Sequence, residues 1–201
     1  RNILRLKTLI PKSEARKQSV QRRNEFSPEE IRRLTDRVIE RISTMDDFVH
    51  AKTIHCYLTS RPGEFDTRRL IDMMEGCGKT IVVPKMNPIS RTLQRNYFTG
   101  WENIVRSSEG FLEPKSGINE DNNDVDLFIV PGLAVSVLGH RVGYGGGFYD
   151  KMLRNTYAPK VVPAFEFQIF DSIESTPQDV RIDRIVTERR IIFTRDSFSG
   201  K

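Results

Sequence analysis

Four glycines within the five positions 143–147 constrain the fold of this 201-residue sequence more than any other feature. The run follows the continuous apolar segment 127–130, which is typical of a strand buried on both faces. It precedes a short helix predicted at 148–153. Without side chains, consecutive backbone N–H groups can approach an anion, and a helix start adds a favourable dipole. The pattern predicts a phosphate-binding loop, and a tight turn packed against the sheet is the alternative.

Strand and helix patterns alternate along the rest of the chain. Strands are predicted at 53–58, 80–83, 93–98 and 127–130, and near 161–162 and 191–193. Helices are predicted at 12–24, from residue 28 to 42, and from about 67 to 76. This alternation predicts an α/β fold, a three-layer α/β/α domain with a mostly parallel central sheet. Ligands of such folds bind at the carboxyl ends of the strands, which is where the glycine loop falls.

Local signals fix two element boundaries. Ser27 is a predicted N-cap, Pro28 occupies the first helical position, and Glu30 completes a capping box. Four apolar residues then follow at spacings of three and four and so share one helix face: Ile31, Leu34, Val38 and Ile42. Pro84 is expected to close the strand 80–83, since proline cannot donate to a sheet ladder.

Charge is unevenly distributed. Residues 1–23 hold eight basic residues and one acidic residue, whereas the remainder holds 24 basic and 26 acidic residues. A nearly neutral body argues against a general nucleic-acid surface and suits a local anion site, with RNA contact by the basic segment as the alternative. No stretch approaches the roughly 18 apolar residues of a membrane span.

The chain is expected to form a single domain over 1–201, with 1–11 as a flexible or targeting-derived extension. We expect a monomer in the cytoplasm. A mitochondrial or other organellar location stays open, because an acid-poor, arginine-containing start is compatible with a transit peptide.

The glycine run matches neither the dinucleotide-binding spacing nor the Walker loop. Residues Gly78, Lys79 and Thr80 imitate the end of a Walker loop. The glycine required five places before Gly78 is Met73, however, and Lys79 precedes a strand when it should open a helix. This match is rejected.

Residues 131–134 and 139–151, which include the glycine run, resemble the signature of the 5-formyltetrahydrofolate cyclo-ligases. Further segments agree in order and spacing: the basic helix with Lys12 and Arg16, and the segments 63–67, 113–114 and 181–188. The resemblance covers roughly residues 12–193. It implies a reaction in which ATP and 5-formyltetrahydrofolate give 5,10-methenyltetrahydrofolate, ADP and phosphate.

The resemblance also implies site residues. Those expected to bind ATP are Lys12, Arg16, Arg141, Gly143, Gly145, Gly146, Gly147, Phe148 and Tyr149. Within that set, Arg141 and Tyr149 are expected to stabilise the transition state, with no covalent catalysis by the protein. Those expected to bind folate are Thr59, Glu64, Tyr144 and Phe148. Magnesium is the expected cofactor, held by Asp150 and Asp183.

Several of these residues have simpler interpretations when they are taken alone. Lys12 and Arg16 share a helix face because they are four apart, and a solvated basic face is the alternative. Glu64 could be a surface acid, Asp183 a charge at a strand end, and the aromatic residues part of the core.

One position departs from the family pattern. After Leu133 and Ala134 the family usually has Phe-Asp, whereas this chain has Val135 and Ser136. The loss of a carboxylate leaves a non-catalytic nucleotide- or RNA-binding relative as an alternative. A sugar-phosphate or coenzyme A enzyme on a similar fold is a third interpretation, supported by fold analogy alone.

Overall fold

The computed structural model describes residues 9–115 and 124–194. Most of the predicted N-terminal extension, residues 1–8, lies outside them. Within the described ranges there are five α-helices: α1 (Lys12–Arg23), α2 (Pro28–Ser43), α3 (Asp46–His50), α4 (Thr67–Gly76) and α5 (Phe148–Leu153). None of them is long and apolar enough to cross a membrane.

The strands of the same ranges are β1 (Thr53–Cys56), β2 (Thr80–Asn87), β3 (Thr92–Tyr97), β4 (Ile104–Arg106), β5 (Leu112–Pro114), β6 (Leu127–Ile129), β7 (Ala134–Ser136), β8 (Arg141–Val142), β9 (Lys160–Pro163), β10 (Ile169–Phe170), β11 (Arg184–Val186) and β12 (Ile191–Phe193).

Seven strands form the central sheet, in the order β12-β11-β9-β6-β1-β2-β3. The five inner strands run parallel, and the edge strands β3 and β12 are antiparallel to their neighbours. In the register, Ile54 of β1 lies between Ile81 of β2 and Leu127 of β6. The predicted mostly parallel α/β sheet is confirmed.

The sequence of strand β6 is continuously apolar because both of its faces are buried. Leu127 and Ile129 belong to the core that α2, α3 and α4 cover. Phe128 and Val130 point the other way, into a second core with Leu153 of α5. Successive side chains of a strand alternate between faces, so a strand with helices on both sides has no polar face.

Strand β2 corrects a predicted boundary. It passes through Pro84 and ends at Asn87, four residues beyond the predicted last residue, 83. Its parallel pairing with β1 ends at Val82, and from there the pairing with β3 continues. Proline is tolerated at this point because β1 no longer lies beside β2 to accept an N–H there.

A smaller three-stranded sheet, in the order β10-β7-β8, carries α1. Ala15 of α1 is buried there against Ala134, Val142, Phe170 and Ile173. This packing brings the N-terminal helix beside the glycine loop, more than a hundred residues away in sequence.

The capping box at the start of α2 is present as predicted. The Ser27 hydroxyl accepts the Glu30 N–H at 3.2 Å, and the Glu30 carboxylate accepts the Ser27 N–H at 2.8 Å. Replacing Ser27 by alanine should lower the free energy of unfolding by about 1 kcal/mol, because an orphan N–H loses its partner. Chemical denaturation measures this loss. Ser43→Ala at the other end of α2 is the control, and an equal loss there would show that the cap has no special role.

Candidate active site

A cleft of about 430 Å³ opens where α1 meets the glycine loop. Its walls come from α1, the loop after β1, the turn after β6, the glycine loop and the first residues of α5. The cleft lies beyond the carboxyl ends of β1 and β6, the edge that the strand order predicts for a ligand.

The glycine loop is exposed on one side of this cleft. Gly145 has φ of +103° and Gly147, the N-cap of α5, has φ of +65°, backbone conformations that side-chain-bearing residues rarely adopt. At Gly146, an added Cβ would lie 2.4 Å from the Phe148 ring. The loop therefore keeps its shape and its open backbone because these positions carry no side chains.

Helix α1 supplies two cations to the cleft. The Arg16 side chain donates from Nε to the Gly143 carbonyl at 3.1 Å. Lys12 forms an ion pair with Asp179, with 2.5 Å between Nζ and Oδ2. Burial by itself would raise the pKa of Asp179, but hydrogen bonds from Lys12 and Thr176 outweigh it and bring that pKa below its ordinary value.

Arg141 forms the floor of the cleft. Its side chain is 5% exposed and donates to the Pro131 carbonyl at 3.2 Å and to Asp150 Oδ2 at 3.1 Å. The other Asp150 oxygen accepts the Val180 N–H at 3.0 Å. The charge of this buried guanidinium is thus balanced by Asp150 and fixed in place beneath the loop.

Tyr149 lies beside Arg141, with 5.8 Å between the guanidinium carbon and the ring centroid. Its hydroxyl oxygen is shielded from solvent and has no hydrogen-bond partner among the described residues. Burial raises the pKa of Tyr149 well above its ordinary value, so the hydroxyl stays protonated.

At the end of the cleft beside Arg23, the last residue of α1, Glu64 is held by several donors. The Tyr144 hydroxyl donates to Oε1, and the backbone N–H groups of Ser60 and Arg61 approach Oε2 at 3.4 and 3.3 Å. Burial and this bond to Glu64 raise the pKa of Tyr144 to about 12. The Tyr144 ring also contacts Phe111, with 6.4 Å between centroids.

Two of the predicted site residues, Thr59 and Asp183, are not among the residues that line the cleft. The Thr59 hydroxyl bonds to the Phe65 carbonyl and accepts the Thr67 N–H, which ties together the ends of the loop that carries Glu64. Asp183 accepts the Lys160 N–H at 3.0 Å. The other predicted residues all line the cleft: Lys12, Arg16, Glu64, Arg141, Gly143, Tyr144, Gly145, Gly146, Gly147, Phe148, Tyr149 and Asp150.

Two cleft residues, Arg23 and Asp179, were not among the predicted site residues. Arg23 follows Arg16 by seven positions, two turns of helix, so the helical period could have placed it on the same face. Asp179 had no such signal, because it lies in a loop and meets Lys12 only through the fold.

Val135 and Ser136, the departure from the family pattern, also lie outside the cleft lining. Both are fully buried in β7, where the Ser136 side chain accepts the His140 N–H at 3.2 Å. Their side chains therefore do not alter the surface that faces a ligand.

The carboxylates of the cleft beside Arg141 and Lys12 are Asp150 and Asp179. In the described part of the chain, no group of three or more His, Cys, Asp or Glu side chains could hold a metal ion. Magnesium is commonly held by one or two carboxylates together with substrate phosphates and water. The residues present fit such a nucleotide-borne ion and do not form an all-protein cage.

Comparison with known proteins gives a consistent picture. Residues 10–188 match the 5-formyltetrahydrofolate cyclo-ligase family. The 5-formyltetrahydrofolate cyclo-ligase of Escherichia coli strain K12 is 30% identical over 178 residues, which cover 85% of this chain and 97% of that protein. The mitochondrial 5-formyltetrahydrofolate cyclo-ligase of Arabidopsis thaliana is 28% identical, over 72% of this chain and 62% of its own length.

The solved structure of Aquifex aeolicus 5,10-methenyltetrahydrofolate synthetase is similar in fold, with a TM-score of 0.82 and 30% identity. The similarity covers 94% of this chain and 96% of that one. The sequence match and the fold similarity both extend over nearly the whole chain and include the glycine loop. The chain therefore belongs to the 5-formyltetrahydrofolate cyclo-ligase family.

Proposed function

We propose that this chain is an ATP-dependent cyclo-ligase that converts 5-formyltetrahydrofolate to 5,10-methenyltetrahydrofolate and releases ADP and phosphate. The observation that carries the proposal is a single cleft with two chemically different ends. One end has an open glycine backbone with Arg16 and Arg141, and the other has Glu64 with the Tyr144 ring. A phosphate donor and a folate bound in this cleft would meet between the two ends.

The proposed reaction needs positioning more than a protein nucleophile. The N5-formyl group is an amide, and resonance makes its carbon a poor electrophile. Its oxygen attacks the γ-phosphorus of ATP, the bond to the β–γ bridging oxygen breaks, and ADP leaves. N10 of the folate then attacks the activated carbon, the carbon–oxygen bond breaks to release phosphate, and N10 loses its proton.

Charge develops on the transferring phosphoryl group, so fixed cations beside it lower the barrier. Arg141 is buried and immobilised by Asp150 and the Pro131 carbonyl, so little reorganisation energy is needed when charge develops beside it. The Tyr149 hydroxyl is protonated and unpartnered among the described residues, and we propose that a small movement of its side chain lets it donate to an oxygen in the cleft.

The Glu64 end suits the pterin ring of a folate. Glu64 can accept N–H donors of the ring, since a carboxylate has capacity for about four hydrogen bonds. Tyr144 and Phe111 offer ring faces beside it. Magnesium bound to the nucleotide would neutralise phosphate charge, and Asp150 and Asp179 are the carboxylates placed to approach it.

The decisive experiment is a spectrophotometric assay. Purified protein incubated with 5-formyltetrahydrofolate should generate the near-ultraviolet absorbance of methenyltetrahydrofolate only when Mg-ATP is present. Omitting ATP, and separately chelating magnesium, supplies the controls. Absence of product at generous enzyme concentration would refute the proposal and favour a non-catalytic relative.

Arg16 provides a test of the ATP end. Arg16→Ala should raise the KM for ATP about tenfold, because a charge-assisted contact to phosphate is worth on the order of 1.4 kcal/mol. The KM for 5-formyltetrahydrofolate should change little. Arg37→Ala on α2, an exposed arginine outside the cleft, is the matched control. Equal increases in both KM values for Arg16→Ala would contradict the assignment of this end to ATP.

A further inference from the structure

Arg23, the last residue of α1, has unused hydrogen-bonding capacity inside the cleft. Its side chain is 15% exposed, and its Nε is shielded from solvent without a partner in residues 9–115 and 124–194. A buried guanidinium N–H without an acceptor is costly. The Arg23 side chain lines the cleft, so a ligand bound there can supply an acceptor to the guanidinium when the side chain adjusts.

The surroundings hold Arg23 in this position. At Gly63 an added Cβ would lie 2.9 Å from Arg23 Cγ, so the glycine leaves the space through which the arginine stem passes. The Arg23 guanidinium then lies 3.9 Å from Glu64, measured from Nη1 to Oε1. That separation is longer than a direct hydrogen bond, and both groups keep capacity for a third partner.

The pair presents a donor next to an acceptor. Glu64 is already oriented by Tyr144 and by two backbone N–H groups, which fixes the acceptor side. The complementary ligand edge has a carbonyl oxygen followed by ring N–H and amino donors. A 4-oxo-pterin has this edge, in its 4-oxo group, N3–H and 2-amino group. A 4-amino-pterin has a donor where the oxygen would be.

We propose that Arg23 is a specificity-determining residue that donates to the 4-oxo group of the pterin while Glu64 accepts the neighbouring ring N–H. The proposal rests on the proposed folate function. It adds that the chain distinguishes 4-oxo-pterins from 4-amino-pterins, and that Arg23 contributes to this distinction together with Glu64.

The test compares two ligands and needs no turnover. Binding of 5-formyltetrahydrofolate and of its 4-amino analogue is measured by calorimetry, without ATP, for the wild type and Arg23→Gln. The wild type should bind the 4-oxo compound more tightly, and Arg23→Gln should reduce the ratio of the two dissociation constants at least tenfold, since buried groups left unpaired penalise the wrong ligand. Arg37→Gln on α2 is the matched control and should leave the ratio unchanged.

A structural role alone would weaken both ligands equally, and an unchanged ratio in Arg23→Gln would overturn the inference. If Arg23→Gln unfolds, as thermal melting would show, Arg23→Lys takes its place. Lysine keeps the charge but loses the planar fork, so the same ratio should shift by a smaller factor. An unchanged ratio in this variant also refutes the proposal.

If the wild type converts 5-formyltetrahydrofolate while the ratio is insensitive to residue 23, the specificity inference fails and the enzyme assignment stands. If the wild type neither binds nor converts folates, the proposed function itself fails.

Discussion

Gly145→Val is expected to lower kcat/KM for ATP by about 10- to 100-fold while the protein stays folded. Gly145 has φ of +103°, which a β-branched residue reaches only with strain on the order of 1–3 kcal/mol. The residue is exposed, so the loop can relieve that strain by changing shape. A changed loop no longer presents its N–H groups to phosphate. Initial-rate kinetics with varied ATP measure the loss.

Gly78→Val is the matched control for the glycine loop. Gly78 follows α4, has φ of +68°, and is exposed with open space around it. It should therefore impose a similar backbone strain far from the cleft and lower the thermal unfolding temperature. Its kcat/KM for ATP should stay at the wild-type value. Parallel losses of ATP affinity in both variants would mean that general destabilisation, and not the shape of the loop, explains the Gly145 result.

Arg141→Met is expected to lower kcat/KM by at least about 100-fold, the range found when one transition-state donor is removed. It should also lower the free energy of unfolding by about 2 kcal/mol, because Asp150 loses its buried partner. The Asp150 side chain is 20% exposed, which keeps this penalty below that of a fully buried pair. Steady-state kinetics and urea denaturation measure the two losses separately.

A second substitution separates the structural and catalytic roles of Arg141. In the double variant Arg141→Met with Asp150→Asn, the unpaired charge is gone, so most of the lost stability should return. The rate should remain below that of Asp150→Asn alone, since the double variant also lacks the cation proposed to face the transferring phosphoryl group. Recovery of activity together with stability would show that Arg141 acts only as a structural partner of Asp150.

The glycine loop and the helix α1 show how far sequence reasoning reached. The glycine loop is local, and the segments 127–130 and 143–153 could be interpreted from pattern alone, whereas the short strands β7 and β8 between them were not predicted. The basic face of α1 was also readable, because Lys12 and Arg16 are one turn apart. That this face packs beside residue 143 depends on the burial of Ala15 against β7 and β8, which no local pattern records.

The predicted site residues outside the glycine loop illustrate the same limit. Asp150 follows the loop directly and was identified with it. Asp179 has no periodic or spacing signal, yet it holds Lys12 from 167 positions away. Asp183, which the family resemblance suggested as a metal ligand, lies outside the cleft, and its role stays a prediction. Thr59 likewise supports the loop that carries Glu64 and does not line the cleft.

By itself, the sequence determined the α/β class, the capping of α2, the doubly buried β6 and the glycine loop, because each depends on periodicity or on the conformational freedom of adjacent residues. Tertiary structure alone decided three other features: β2 continues through Pro84, Lys12 pairs with Asp179, and Arg23 lies beside Glu64. These features depend on which strand lies beside which, and on loops that bring distant charges within a few ångströms. Local sequence carries no record of those distances.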